Sequence, residues 1–125
     1  IKSALKQQHI TASDGSEIDH IELFGEPINE QAQSKNFVLC SSGDYDRSPC
    51  GTGCSAKLAC LAEEGLLPEN KEWIQESIIG SLYSTHYSWS MGGNIIPTIT
   101  GKAFVTSEAT LHFNPLDPYS YGISL

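Results

Sequence analysis

At 125 residues and 39% hydrophobic content, the chain is long enough for one domain that buries roughly two-thirds of its unfolded surface. Its net charge of −8 and pI near 4.8 exclude nucleic acid and anionic membrane as partners, since either needs a basic face. No apolar run approaches the roughly 20 residues of a membrane span, and Lys2, Lys6 and Gln7 occupy the stretch where a signal peptide would be apolar, so the expectation is a soluble, cytoplasmic protein.

Residues 1–8 have a short helical pattern, and Ser13-Asp14-Gly15 marks a turn after it. Residues 18–24 read as a strand with Ile21 and Leu23 on one face, 25–34 as a polar loop containing Pro27, and 37–40 as a short buried strand. A loop over 41–46 then delivers the chain to Cys50. From 53 to 64 the chain lacks β-branched residues and is rich in Ala and Leu, with Gly65 placed as a cap and Pro68 as a stop, so a helix is expected there. Its side chains are apolar or small nearly all round, Lys57 and the terminal glutamates being the only charges, which predicts burial within a surrounding sheet. Strands over 73–79, 82–87, 94–100 and 103–113 would supply that sheet, the last showing the cleanest two-residue alternation, and the tail 114–125 is irregular. The expected architecture is α+β, one domain over 1–125, with a mostly antiparallel or mixed sheet wrapped round one buried central helix.

Cys40, Cys50, Cys54 and Cys60 crowd into one stretch, unlike the spread cysteines of a secreted disulfide scaffold, and read as free thiols. The apolar or Ala-rich surroundings of Cys40, Cys54 and Cys60 suit small buried hydrophobes. A zinc site on Cys50 and Cys54 is disfavoured because Cys60 is rotated away from that pair on the helix. Gly51-x-Gly53-x-x-Ala56 fits a dinucleotide fingerprint only weakly, with Pro49 where a tight strand-to-helix turn is needed, and Lys57 is wrongly placed for a phosphate loop.

Cys50 stands apart within Ser48-Pro49-Cys50-Gly51-Thr52-Gly53. Pro49 cannot donate a backbone hydrogen bond, the glycines let main-chain N–H groups approach a ligand, and a helix start would hold a carboxylate and favour a thiolate. Asp46 lies close enough to bind a substrate amine. The competing reading is a plain helix N-terminus capped by Ser48 or Thr52, with Asp46 favouring the dipole; spacing alone leaves both open.

Five segments carry a resemblance: Asp19-His20-Ile21-Glu22-Leu23-Phe24-Gly25, Asn36-Phe37-Val38-Leu39-Cys40, Asp46-Arg47-Ser48-Pro49-Cys50-Gly51-Thr52-Gly53, Gln75-Glu76-Ser77-Ile78-Ile79-Gly80 and Ile96-Pro97-Thr98-Ile99-Thr100-Gly101. In these the chain resembles the proline racemase family and, within it, the 4-hydroxyproline 2-epimerases. The resemblance implies a cofactor-independent isomerase with no metal and a diaminopimelate-epimerase type of fold, in which two similar domains each wrap a sheet round a helix and the active site lies between them. Two cysteines would face opposite sides of the substrate α-carbon, one removing a proton as thiolate and the other delivering one as thiol. Cys50 matches the second-domain cysteine, Gly51 and Thr52 the residues whose backbone holds the substrate carboxylate, Asp46 a ligand of the ring amine and His20 a substrate-contacting histidine.

The family's first-domain motif, a catalytic residue followed by Gly-His, has no counterpart here, and the only methionine is Met91. The chain is therefore expected to be the C-terminal portion of a two-domain enzyme, with a hydroxyproline or proline substrate and the missing domain as its partners, and with self-association through the surface that domain would cover. Alternatives are a proline racemase, a trans-3-hydroxyproline dehydratase, disfavoured because those members carry threonine where Cys50 stands, and a non-catalytic module that binds an imino acid or a protein.

Overall fold

The computed structural model describes residues 1–123, and its elements run α1 (Lys2–Gln7), β1 (Ile21–Gly25), β2 (Ser34–Leu39), α2 (Gly51–Glu63), β3 (Trp73–Glu76), β4 (Leu82–Trp89) and β5 (Ile95–Thr100). The strands form one sheet in the order β1-β2-β3-β4-β5. Only β2 and β3 are parallel, because α2 carries the chain back between them; the other three pairings are antiparallel. The mixed sheet of the α+β expectation is therefore present.

Helix α2 lies against this sheet on one face. Cys54, Leu58 and Leu61, at helical spacing, are buried, and Leu58 and Leu61 pack with Leu67, Tyr87, Ala62, Trp73 and Ile95 to form the core. Ala56, Ala59 and Cys60 on the far side are exposed, so the helix is covered on one side and not wrapped all round. Cys60 is correspondingly not a core residue, contrary to expectation: it falls on the turn of α2 that points away from the sheet. At its C-terminus α2 closes with a Schellman arrangement. Gly65, at φ +67°, donates to Ala62 O at 3.1 Å, and Leu66 N–H donates to Leu61 O at 2.9 Å.

The polar loop before β2 is shorter than expected and the strand begins at Ser34, where Gln75 Nε2 donates to Ser34 O at 2.9 Å across the parallel pairing. Between β3 and β4 the chain turns through 77–81, with Ser77 N–H donating to Ser81 O at 2.8 Å, which ends β3 at Glu76, three residues before the expected boundary. Glu76 is buried and accepts from the Ile28 and Asn29 N–H groups and from Lys35 Nζ, at 2.7, 2.9 and 3.1 Å. This carboxylate ties the loop ahead of β2 to the sheet.

Residues 103–113 form no strand, which corrects the reading of their alternation. Among the described residues no backbone–backbone hydrogen bond involves 101–113, and every side chain from 103 to 113 is exposed. An alternating segment becomes a strand only beside another strand, and here β5 pairs with β4 alone. The following stretch has isolated turns, as its irregular composition suggested; positions 124 and 125 of that tail lie outside the described residues. No helix among the described residues is long and apolar enough to cross a membrane.

Candidate active site

Strand β2 does not run straight into the Cys50 segment. Cys40 N–H donates to Asp44 O at 2.8 Å, and Asp46 N–H returns to Val38 O at 3.0 Å, so 40–46 is a tight reversal that lays Asp46 beside the end of β2. Tyr45 stacks on Phe37 at 5.6 Å and anchors the reversal. From there Pro49 leads into α2, which starts at Gly51, two residues earlier than the sequence suggested.

This earlier start makes Cys50 the N-cap. Its backbone sits at φ 65°, ψ 115°, in the left-handed half of conformational space, which costs a residue with a side chain about 1–3 kcal/mol. The thiol points back over the first turn, and Gly53 N–H donates to Cys50 Sγ at 3.3 Å, while Cys50 N–H donates to Ser48 Oγ at the same distance. Neither Ser48 nor Thr52 caps the helix; the cysteine does so itself. Among the described residues the Gly51 and Thr52 N–H groups have no protein acceptor and are left for a ligand.

In front of this helix start lies a cleft of about 640 Å³. His20, Asp46, Cys50, Gly51 and Thr52, the five residues singled out from the sequence, all line it. His20 Nδ1 is 2.7 Å from Asp19 Oδ1, and this bond holds the Asp19 carboxyl below its ordinary range. The cleft also contains residues that the sequence reading passed over. Cys40, expected in the core, instead lines the cleft and donates its thiol hydrogen to Asp46 Oδ1 at 3.5 Å. Glu22, half-buried, lies directly under the first turn of α2, where a Cβ on Gly53 would come within 2.6 Å of its Oε2. A side chain at 53 would displace that carboxyl.

Ile21 and Leu23 share one face of β1, as expected, and it is the face opposite Glu22. Ile21 and Leu23 line a depression with Phe37 and Leu39 next to α1, on the side of the sheet away from α2, whereas Glu22 and Phe24 face the helix. Lys57 on α2 places its ammonium 4.0 Å above the Phe24 ring. The β1–β2 register sets these faces: Val38 and Asn36 on the inward face of β2 stand opposite Glu22 and Phe24 on β1.

Electrostatically the cleft is acidic. Asp19, Glu22 and Asp46 line it, with no lysine or arginine on the wall among the described residues. Burial raises the Glu22 carboxyl above its usual range, opposed by the hydrogen bond from Asn36 and by Lys57. Burial also raises the Cys50 thiol, with Asp46 and Glu22 adding to the effect and the Gly53 N–H opposing it. In this chain Cys50 is thus held as a thiol, not lowered toward thiolate as a helix start alone would suggest. Cys54, one turn deeper, is pushed up to about 12 by burial, with smaller contributions from Glu22 and Cys50, and behaves as the core residue expected. No group of three or more His, Cys, Asp or Glu among the described residues is arranged to hold a metal ion.

The chain is similar over its whole length to curated 4-hydroxyproline 2-epimerases, 61% identical to that of Roseibium aggregatum and 53% identical to that of Acinetobacter baumannii. It covers 40% and 39% of those two proteins, so it spans about two-fifths of the relatives it matches. Its fold matches the crystal structure of a hydroxyproline epimerase from Agrobacterium vitis with bound trans-4-hydroxy-L-proline, with a TM-score of 0.68 and 27% identity over 99% of this chain and 38% of the other. The model of the proline racemase family matches residues 1–124, and the chain belongs to that family.

Proposed function

We propose that this chain forms the C-terminal domain of a cofactor-independent 4-hydroxyproline 2-epimerase of the diaminopimelate-epimerase type, which inverts the α-carbon of trans-4-hydroxy-L-proline to give cis-4-hydroxy-D-proline. The observation that carries the proposal is the meeting of His20, Asp46, Cys50, Gly51 and Thr52 in one acidic cleft, with the thiol at the N-cap of α2. The relatives' names give the substrate class.

In this reading the substrate carboxylate takes the free N–H groups of Gly51 and Thr52, where the helix start favours negative charge. Asp46 receives the ring ammonium, and His20, held by Asp19, contacts the substrate within the same cleft. Proton exchange with inversion needs a base on one face of the α-carbon and an acid on the other. A base from a preceding domain takes the α-proton; the bond's electron pair stays on carbon, and the N–H groups at the carboxylate hold the charge that develops there. Cys50 delivers its thiol proton to the opposite face and becomes a thiolate. In the reverse direction it takes the proton back. A thiol kept protonated by burial and by two carboxylates is suited to the donor role, and the cationic amine arriving at Asp46 offsets one of those charges.

The test is turnover of trans-4-hydroxy-L-proline by the full-length protein in heavy water. Product should carry deuterium at the α-carbon, and Cys50→Ser should lower kcat by at least about 10²-fold. Turnover without deuterium at that carbon would overturn the two-thiol mechanism, and absence of turnover with any proline or hydroxyproline isomer would favour a binding module. This chain alone, with one face of the α-carbon unserved, should not epimerise.

A further inference from the structure

Asn36 is 2% exposed, and its side chain joins three parts of the site. From β2 its Nδ2 donates to Glu22 Oε1 on β1 at 2.6 Å and to the carbonyl of Pro49 at 2.8 Å. Both partners are acceptors, so the amide cannot be reversed: Oδ1 in place of Nδ2 would face two oxygens. Its Oδ1 is consequently left buried without a partner among the described residues. A polar side chain left partly unsatisfied in the interior has been placed there by the bonds its other end makes.

Those bonds converge on Cys50. The Pro49 carbonyl immediately precedes the left-handed cysteine and also accepts the Cys54 thiol hydrogen at 3.4 Å. Glu22 fills the space under Gly53, whose N–H donates to Cys50 Sγ. We propose that Asn36 and Glu22 are a positioning pair for Cys50: the amide fixes the Pro49 carbonyl and the Glu22 carboxyl, and the carboxyl adds a negative charge beneath the first turn of α2 that disfavours a thiolate there. Neither residue needs to touch a substrate for this. The proposal rests on the reading of Cys50 as an acid/base group, but it concerns the thiol itself and can be measured without turnover.

Several charged groups share the neighbourhood. Glu22 is faced by Lys57 and Cys54 from α2 and by Asp46 from the reversal after β2; Cys50 is faced by Asp46 and Glu22, with Asp19 and His20 lining the same cleft. Removing only the Glu22 charge therefore leaves Asp46 in place and isolates one contribution.

The experiment is the pH dependence of iodoacetamide alkylation, followed by peptide mass mapping, for the chain and for Glu22→Gln and Asn36→Asp. Cys60, exposed on the far side of α2, serves as the internal reference. Glu22→Gln keeps an acceptor for Asn36 and loses the charge, so Cys50 should be alkylated about two- to threefold faster at pH 7. Asn36→Asp sets a second buried carboxyl against Glu22, and the two share one proton at pH 7, so the charge near Cys50 is unchanged and its rate should stay close to that of the parent chain, with Cys60 unchanged in both variants. A purely structural pair would shift both variants in the same direction, and that result, or an unchanged Cys50 rate in Glu22→Gln, would overturn the proposal. Unfolding of Glu22→Gln would overturn it as well, because it would assign the carboxyl to the fold and not to the thiol; if Asn36→Asp does not fold, Glu22→Gln alone decides. Failure here with deuterium still entering the α-carbon would leave the epimerase reading standing, so the two can be told apart.

Discussion

Strand β4 and the segment 103–113 are both alternating stretches of apolar and polar side chains, yet β4 lies between β3 and β5 with Thr85 and Tyr87 turned into the core, whereas 103–113 has neither a strand beside it nor a surface beneath it. The two buried residues of β4 are both bonded: Thr85 Oγ1 donates to Trp73 O at 2.8 Å, and the Tyr87 hydroxyl donates to Leu67 O at 2.6 Å. In the other segment Phe104, Val105 and Leu111 are 82, 86 and 74% exposed. A two-residue period describes a surface that fits a sheet; the partner must come from elsewhere.

The largest difference between the two regions should appear on truncating one leucine in each. Leu58→Ala, at 1% exposure in the core, should cost about 3 kcal/mol in urea unfolding, from lost transfer energy and the cavity left behind. Leu111→Ala should change stability by less than about 0.5 kcal/mol. Equal effects would mean that 103–113 is packed in solution and that its exposure is not a property of the free chain.

A smaller effect, still confined to the packed region, should follow from Glu76. Its carboxyl is held below its ordinary value of 4.5, chiefly by the Asn29 N–H bond, with Lys35 and the Ile28 N–H also contributing. The folded group is the stronger acid, so its contribution is fully present above the unfolded value and is lost as the pH falls through the folded one. Glu76→Gln should cost about 2 kcal/mol at pH 7, the worth of a buried charge-assisted bond, and the difference from the parent chain should shrink at about pH 3. A gap that is the same at both pH values would show that the charge contributes nothing.

The same contrast explains what the sequence made legible. The helix, its Gly65 cap and the Cys50 motif depend on residues close together in the chain, so local spacing placed them, although it left two readings of Cys50 open and only the family resemblance favoured the catalytic one. Asp46, Gly51 and Thr52 share that stretch, and the fold brings them into one cleft with His20. Glu22 and Asn36 were not legible in this way, because they meet only through the β1–β2 register, and a one-residue choice of face decides whether Glu22 or its apolar neighbours turn toward the helix. Cys60 was misplaced for a related reason: small apolar residues surround α2 on every side, so composition could not say which side the sheet would cover. Which side of α2 meets the sheet is long-range information that a local pattern does not hold.

The smallest expected change in stability is also the most direct test of the comparison. Deleting the residues after Lys102 removes no backbone hydrogen bond of the sheet and none of the core residues Leu58, Leu61, Leu67 and Tyr87, so the unfolding free energy should stay within about 0.5 kcal/mol of the parent chain. The surface should change much more. Phe104, Val105, Leu111, Leu116 and Tyr121 are all more than 70% exposed, and a set of large apolar side chains this open to water favours contact with another surface. Sedimentation of the parent chain should therefore show association that the shortened chain lacks. If the shortened chain associates equally, the contact lies on the uncovered side of α2, around Ala56, Ala59 and Cys60, and Cys60 should then be protected from alkylation in a concentration-dependent way. If instead the shortened chain is destabilised by several kcal/mol, residues 103–113 do pair with the sheet in solution, and β5 has a neighbour after all.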